Sequence, residues 1–212
     1  MKASIASGRP KGLHYILALV AGSLTLMAAG PRTFTVDTAR SKALIDVGKS
    51  GAFSFAGHTH EVEAPLTSGT VHFDPDTVSK SDLRLEFNAA AMKVTGKGDP
   101  PADVPKVTEA MLGEQVLDVK KYPSITFEST AVSGRGAAPA IDLQITGNLT
   151  IRGTTKPVRA ATSVKIEGDT LTATGRFAIK QTDFGIKPIS VGGMVKVKDE
   201  LAINFTIVAR ER

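Results

Sequence analysis

Long segments in which every second residue is apolar constrain this chain more than any other feature. In Ile141–Ile151, six positions of one parity hold an aliphatic residue or glycine. The segments Leu83–Phe87, Leu171–Ile179 and Leu201–Ile207 repeat the pattern. Successive side chains of a strand point to opposite faces, so each segment predicts a strand with one buried face. Strands of this length need a closed barrel or a second sheet to bury that face.

One short helix interrupts the predicted strands. Apolar residues at three- and four-residue steps between Val104 and Met111 predict a helix over residues 103–112. Asp103 is expected to be its N-cap, and Gly113 is expected to end it in a left-handed turn. The helix and the loop 94–102 before it should cover one end of the sheet and control access to the interior.

The fold class that follows is all-β. We expect one domain built as an antiparallel β-barrel of about eight strands, with one short helix near the barrel mouth. Closure removes exposed strand edges, and the interior of an eight-stranded barrel has room for one small ligand.

The start of the chain has the layout of a secretory signal peptide. Three cations precede an apolar run, Leu13–Ala29, and Ala28-Ala29-Gly30 is a small-residue cleavage site. We therefore assign residues 1–30 to a signal peptide and residues 31–212 to the barrel domain, with a periplasmic or secreted location. A retained membrane anchor is the alternative, because the run approaches the roughly 18 residues that a membrane span needs.

Composition excludes several functions. The formal charge is +5 for the whole chain, but the leader holds three cations and no acid, so the domain carries +2. Nucleic-acid binding needs a stronger basic surface. The lack of cysteine excludes disulfides, iron–sulfur clusters and thiolate catalysis. No Gly-x-Ser-x-Gly, Ser-x-x-Lys, phosphate-loop or dinucleotide motif occurs, so we predict neither an enzyme nor a cofactor.

Three histidines provide an alternative function. His58 and His60 lie two positions apart on an apparent strand, so their side chains leave from one face. A hairpin turn near Leu66 would place His72 opposite His60, with Cβ atoms about 5 Å apart. Three imidazoles with an open fourth position can bind zinc. The alternative is therefore a periplasmic metal-binding protein or hydrolase that uses His58, His60 and His72. The other interpretation is that these side chains form an exposed polar ladder or are polar groups at the mouth of a pocket.

Four segments, taken in order, are similar to those of a known family. They are Gly69–Asp74 (GTVHFD), Asp118–Ser129 (DVKKYPSITFES), Gly147–Val158 (GNLTIRGTTKPV) and Phe177–Ile186 (FAIKQTDFGI). Together they resemble the YceI-like family, and the resemblance covers nearly all of residues 33–209. It implies an extracytoplasmic, lipocalin-like barrel with a long apolar pocket for polyisoprenoids, isoprenoid quinones and related long-chain lipids or amides.

The phenylalanines either fill a core or line a tube for such a chain. The sequence has nine phenylalanines, two tyrosines and no tryptophan. Small residues of inward parity, Gly147, Ala173 and Gly175, suggest that the interior keeps gaps and therefore favour a tube. We predict that the ligand contacts these residues: Phe53, Phe55, Leu85, Phe87, Met111, Leu112, Phe127, Leu149, Phe177, Ile179, Phe184 and Phe205.

The sequence thus predicts an exported binding protein that sequesters or carries a polyisoprenoid, an isoprenoid quinone or a fatty-acid derivative in its barrel. A third hypothesis is a barrel with a closed interior whose exposed edge binds another protein. With this function, the protein could also contact a membrane surface during ligand exchange, and it could form a homodimer. The volume of the interior separates the first hypothesis from the third.

Overall fold

Strands occupy more than half of residues 33–209, as expected for an all-β barrel. The computed structural model describes residues 30–50, 59–137, 140–191 and 195–212. Its elements are β1 (Arg32–Val36), β2 (Lys42–Ser50), β3 (His60–Glu63), β4 (Leu66–Phe73), β5 (Asp82–Asn88), β6 (Lys93–Val94), α1 (Val104–Leu112), β7 (Ser124–Ala137), β8 (Ala140–Ile151), β9 (Thr154–Glu167), β10 (Thr170–Lys180), β11 (Ser190–Val191) and β12 (Val195–Glu211).

β12 closes the sheet because it pairs along both of its edges. One edge pairs with β10 from Glu200 to Arg210. The other edge pairs first with β2 and then, from Ala209 to Glu211, with β1. β4, β5, β7, β8 and β9 complete the circuit between β1 and β10, and all of these pairings are antiparallel. The result is the predicted closed barrel of eight strands.

Three positions of the ring are each shared by two consecutive strands. β1 and β2 both run antiparallel to β12, so they run in the same direction with a bend between them. β3 and β4 continue each other in the same way, and so do β5 and β6. Of each pair, the strand nearer α1 is β2, β3 or β6, and these three strands form one side of the barrel mouth.

The predicted hairpin between His60 and His72 is wrong. β3 pairs with β2 and β4 pairs with β1, so the two strands follow one another instead of folding back. Pro65 lies at the break, where its missing N–H removes no ladder bond, and its carbonyl accepts from Asn88 N. Twelve positions separate the two histidines along this direction, which at about 3.3 Å per residue places them near opposite ends of the barrel.

The helix is confirmed, and Asp103 and Gly113 occupy its two cap positions, but neither caps it in the predicted way. The side chain of Asp103 makes no capping hydrogen bond, and Gly113 has extended geometry with φ −68°. The left-handed residue comes later, at Asp118 with φ 49°. Its N–H donates to the carbonyl of Gly113, so the loop after α1 folds back beneath the helix end.

The part of the chain that the structure describes contains no helix long and apolar enough to cross a membrane. The signal peptide predicted for residues 1–30 lies outside the described residues except for Gly30.

A network around Arg32 ties the barrel together at the end away from α1. Its guanidinium donates to Glu211 Oε2 at 2.5 Å and to Gly168 O at 2.6 Å, and it lies 4.9 Å from the ring centroid of the fully buried Phe34. The hydrogen bond from Arg32 lowers the pKa of the Glu211 carboxyl. These contacts join β1, β12 and the β9–β10 turn where the sheet closes.

The small residues of the inward faces do not all leave gaps. A Cβ on Gly175 would lie 2.5 Å from both Phe205 Cζ and Ala161 O. A Cβ on Gly147 would meet the ring of Phe127 and the carbonyl of Glu128. The prediction that these two glycines mark empty space is therefore wrong, because each lets an aromatic ring of the neighbouring strand approach the backbone closely.

We expect Gly175→Ala to lower the free energy of unfolding by about 1–3 kcal/mol, because the added methyl must displace Phe205 or the backbone of β9. Urea denaturation measures this loss. Ala178→Ser, an exposed position on the same strand, is the control and should change stability by less than about 0.5 kcal/mol. Equal stability of Gly175→Ala and the wild type would show that the ring does not cover the glycine.

Candidate ligand-binding cavity

The barrel encloses a cavity of about 780 Å³, which lies within the roughly 300–1,000 Å³ typical of ligand sites. Side chains from the barrel strands and from α1 line it, and most of them are aliphatic or aromatic. Along β12 the lining extends from Val197 to Ile207, a rise of about 33 Å at 3.3 Å per residue. The cavity is therefore long and narrow, as the resemblance implies.

Four phenylalanines form the middle of the wall. Two clusters of buried side chains occupy the ends of the barrel, one around Phe34 at the far end and one around Phe184 at the mouth. Phe87, Phe127 and Phe205 pack against both clusters. The ring of Phe177 lies 6.3 Å from that of Phe205, centroid to centroid, at an angle of 58°. All four side chains face inward and line the cavity, yet they are only half buried. Their residual exposure is to the cavity, as expected for a wall and not for a solid core.

The structure brings most of the predicted ligand contacts to this wall. Leu112 packs against the core cluster at the mouth without lining the cavity, and Phe53 and Phe55 lie outside the described residues. Direct contact of any of these side chains with a ligand stays a prediction. The predicted residues that line the cavity are Leu85, Phe87, Met111, Phe127, Leu149, Phe177, Ile179, Phe184 and Phe205.

α1 covers the mouth, but its contacts with the barrel leave every helix residue at least partly exposed. Val107 and Met111 line the cavity and pack on the core cluster below, but no residue of the helix is fully buried. The lining also includes Lys106 of α1, which is 78% exposed, so the cavity reaches the surface beside the helix, as predicted. An element with so few buried contacts is the part of a fold that opens most readily.

Three of the four family-like segments meet at this mouth, all except Gly69–Asp74. Arg152, in the β8–β9 turn, donates to Glu114 O at 2.8 Å and to Gly185 O at 3.1 Å. The ring of Tyr122 lies against Gly153, where a Cβ would be only 2.7 Å from it. These contacts fix the loop after α1 onto two barrel turns, so these three segments support the entrance.

The loop before α1 is held to β3 by charge. Lys97 Nζ and Thr95 Oγ1 each donate to the Glu61 carboxylate at 3.0 Å. Both bonds favour the charged form, that from Lys97 most, and they lower the pKa of the Glu61 carboxyl. Gly96 and Gly98 then take the left-handed geometry that glycine favours, with φ +80° and +83°.

This tight loop turns Asp99 toward the cavity mouth. The Asp99 side chain is 1% exposed, and its Oδ1 lies 2.7 Å from His60 Nδ1. Both residues line the cavity. Because a carboxylate only accepts hydrogen bonds, Nδ1 of His60 must be the donor.

The shared metal site predicted for the histidines is not formed. His60 pairs with Asp99, whereas His72 pairs with Asp82 at 3.0 Å near the other end of the barrel. No group of three histidine, aspartate or glutamate side chains among the described residues is placed to hold a metal ion. His58 lies outside those residues.

Sequence reasoning missed several wall residues at the mouth. β6 has only two residues, too few to show an alternating pattern, yet Val94 is buried there beside Met92. Val116 and Leu117 follow the helix in a segment without regular structure. Asp99 had no signal either, since Gly-Asp-Pro-Pro indicates only a loop.

A closed eight-stranded antiparallel barrel around one long apolar cavity is the architecture of lipocalin-like ligand-binding proteins. The chain belongs to the YceI-like family: the YceI-like domain matches residues 34–209.

Relatives and solved structures agree with this assignment. A UPF0312 protein of Pseudomonas savastanoi pv. phaseolicola is 28% identical over 81% of this chain and 86% of its own length. A UPF0312 protein of Shewanella sp. (strain W3-18-1) is 40% identical, but the match covers 35% of this chain and about two fifths (41%) of that protein. Burkholderia cenocepacia BcnA superposes with a TM-score of 0.63 at 24% identity, over 82% of this chain and 98% of that one. A polyisoprenoid binding domain from Saccharophagus degradans has a TM-score of 0.61 at 10% identity, over 84% and 98%. These two likenesses show the fold.

We expect Ala173→Leu to leave the free energy of unfolding within about 1 kcal/mol of the wild type, because Ala173 lines the cavity and a larger side chain can extend into it. Urea denaturation provides the measurement, with Gly175→Leu as the matched variant at a filled position two residues further along. A loss of 3 kcal/mol or more in Ala173→Leu would mean that the interior is packed solid there.

Proposed function

We propose that this protein binds one long-chain apolar molecule inside its barrel, and that the ligand is a polyisoprenoid, an isoprenoid quinone or a fatty-acid derivative. The observation that carries the proposal is the cavity of about 780 Å³ with its apolar, half-buried wall. Each CH₂ group that leaves water for such a wall contributes about 0.8 kcal/mol. A chain of roughly a dozen carbons therefore offsets the cost of ordering the ligand.

The shape of the cavity favours a chain over a compact ligand. The wall is narrow and long, with aromatic rings at its middle and α1 at its mouth. The similarity of fold to a polyisoprenoid binding domain from Saccharophagus degradans supports the same class of ligand. A partner-docking barrel with a closed interior is less well supported, because it would have no use for this cavity.

We also propose that the protein acts outside the cytoplasm. The cationic start and apolar run of residues 1–30 support export with cleavage of the leader. In that compartment the protein would sequester or carry its ligand and exchange it where the mouth beside α1 meets a membrane surface. The mostly apolar wall supports a binding role.

A pair of alanines on β10 provides the test. Ala173 lines the cavity, whereas Ala178 is exposed on the outer face of the same strand. We expect Ala173→Leu to weaken binding of a fluorescent long-chain alcohol by about tenfold or more, since the new side chain occupies part of the tube and removes about two CH₂ contacts of the ligand. Ala178→Leu should bind as the wild type does. Fluorescence titration measures both dissociation constants.

Equal weakening in the two variants would place the probe on the outer surface of the barrel and contradict the proposal. Absence of binding to the wild type, with probes of several chain lengths, would contradict it as well.

A further inference from the structure

We propose that Asp99 and His60 form a polar subsite at the cavity mouth that binds a hydrogen-bond donor, a hydroxyl or an N–H group, on the head group of the ligand. This inference rests on the proposed function and adds the chemistry of the ligand's polar end. The apolar wall explains how a chain is held, but it does not select between chains with different ends.

One atom carries the inference. Asp99 Oδ2 is buried and, among the described residues, has no hydrogen-bond partner. The other oxygen of the same carboxylate accepts from His60 at 2.7 Å, so the side chain is held in one orientation. A buried acceptor without a partner costs free energy, which a donor brought by a ligand would recover.

The loop is built to keep this carboxylate in place. Asp99 N donates to Gly96 O at 3.2 Å, and Thr95 N donates to Glu61 O at 2.8 Å. Lys97 and Thr95 add the two bonds to the Glu61 side chain. The unpartnered oxygen is therefore part of an anchored loop, and it lies in a residue that lines the cavity.

The pair presents acceptors, which defines the class of head group. Nδ1 of His60 donates to Asp99, so Nε2 of a neutral ring is an acceptor as well. A head group with a hydroxyl or N–H satisfies such a site, whereas an ether or ester oxygen does not. A carboxylate or phosphate would also face the negative charge of Asp99.

The neighbouring polar residues do not change this assignment. Gln181 also lines the cavity, but its amide already donates to Lys198 O at 2.8 Å. Lys106 is 78% exposed and lies 3.8 Å from Asp103, so its charge is solvated outside the mouth. Asp99 is thus, among the described residues that line the entrance, a charged group whose side chain is almost fully buried.

Two probes that differ by one donor test the proposal. Oleyl alcohol and oleyl methyl ether have the same chain, but only the alcohol can donate a hydrogen bond. We expect the wild-type full domain to bind the alcohol roughly tenfold more tightly, as a charge-assisted hydrogen bond implies. In Asp99→Asn the amide can keep its oxygen toward His60 and present N–H groups to the ligand, so the alcohol-to-ether ratio should fall to one or below. Calorimetry or displacement of a fluorescent chain gives the constants.

The second histidine–aspartate pair supplies the control. Asp82 is paired with His72 in the same way and lines the far end of the cavity, but it is 62% exposed, so water already satisfies its oxygens and Asp82→Asn should keep the wild-type ratio. A ratio near one in the wild type overturns the inference while leaving chain binding intact, and it does so even if Asp99→Asn does not fold. A preference that survives in Asp99→Asn, or that is lost in Asp82→Asn, also overturns it. Failure of both probes to bind would contradict the proposed function itself.

Discussion

Every feature of the cavity depends on the pairing of β12 along both of its edges. An open sheet of this length would expose its apolar face, whereas closure turns that face inward and removes the unpaired edges. Because the chain bends between β1 and β2, the same edge of β12 pairs with β2 near the mouth and with β1 at the far end. Once the ring is closed, the size of the inward side chains decides whether the interior is a core or a tube. Half-buried phenylalanines around about 780 Å³ of space make it a tube.

The sequence was sufficient for the regular half of the barrel. β8, β9 and β10 are consecutive antiparallel neighbours, and their alternation and tight turns are local signals. Gly168, with φ +60°, lies in the turn between β9 and β10, where glycine is typical. The other half depends on long-range pairing. Whether β3 folds back on β4 or continues into it is decided by β1 and β2, and a four-residue strand does not encode that choice. The prediction of empty space at the glycines was wrong for a related reason. Parity shows that Gly175 faces inward, but it does not show that Phe205 lies across it.

The candidate site likewise has a part that local sequence patterns predict and a part that they do not. Apolar residues of the wall follow from parity, so most of the predicted contacts line the cavity. The mouth could not be derived in this way, because its parts come from separate turns. Arg152 joins the loop after α1 to the turn at Gly185, and Asp99 reaches His60 through two left-handed glycines. The segments that resemble the YceI-like family include the first of these contacts and not the second. The family-like segments thus account for much of the barrel and the support of its entrance, while the buried carboxylate lies in a loop outside those segments.

The central claim is that a long chain lies along the barrel axis, and the dependence of affinity on chain length tests it most directly. Calorimetry with a series of straight-chain alcohols gives that dependence on the wild-type protein. We expect the free energy of binding to improve by up to about 0.8 kcal/mol, or roughly fourfold in affinity, for each added CH₂. The improvement should level off once the chain reaches the far end of the cavity. An affinity that does not change with chain length, or that increases without limit, would contradict a ligand enclosed in the barrel.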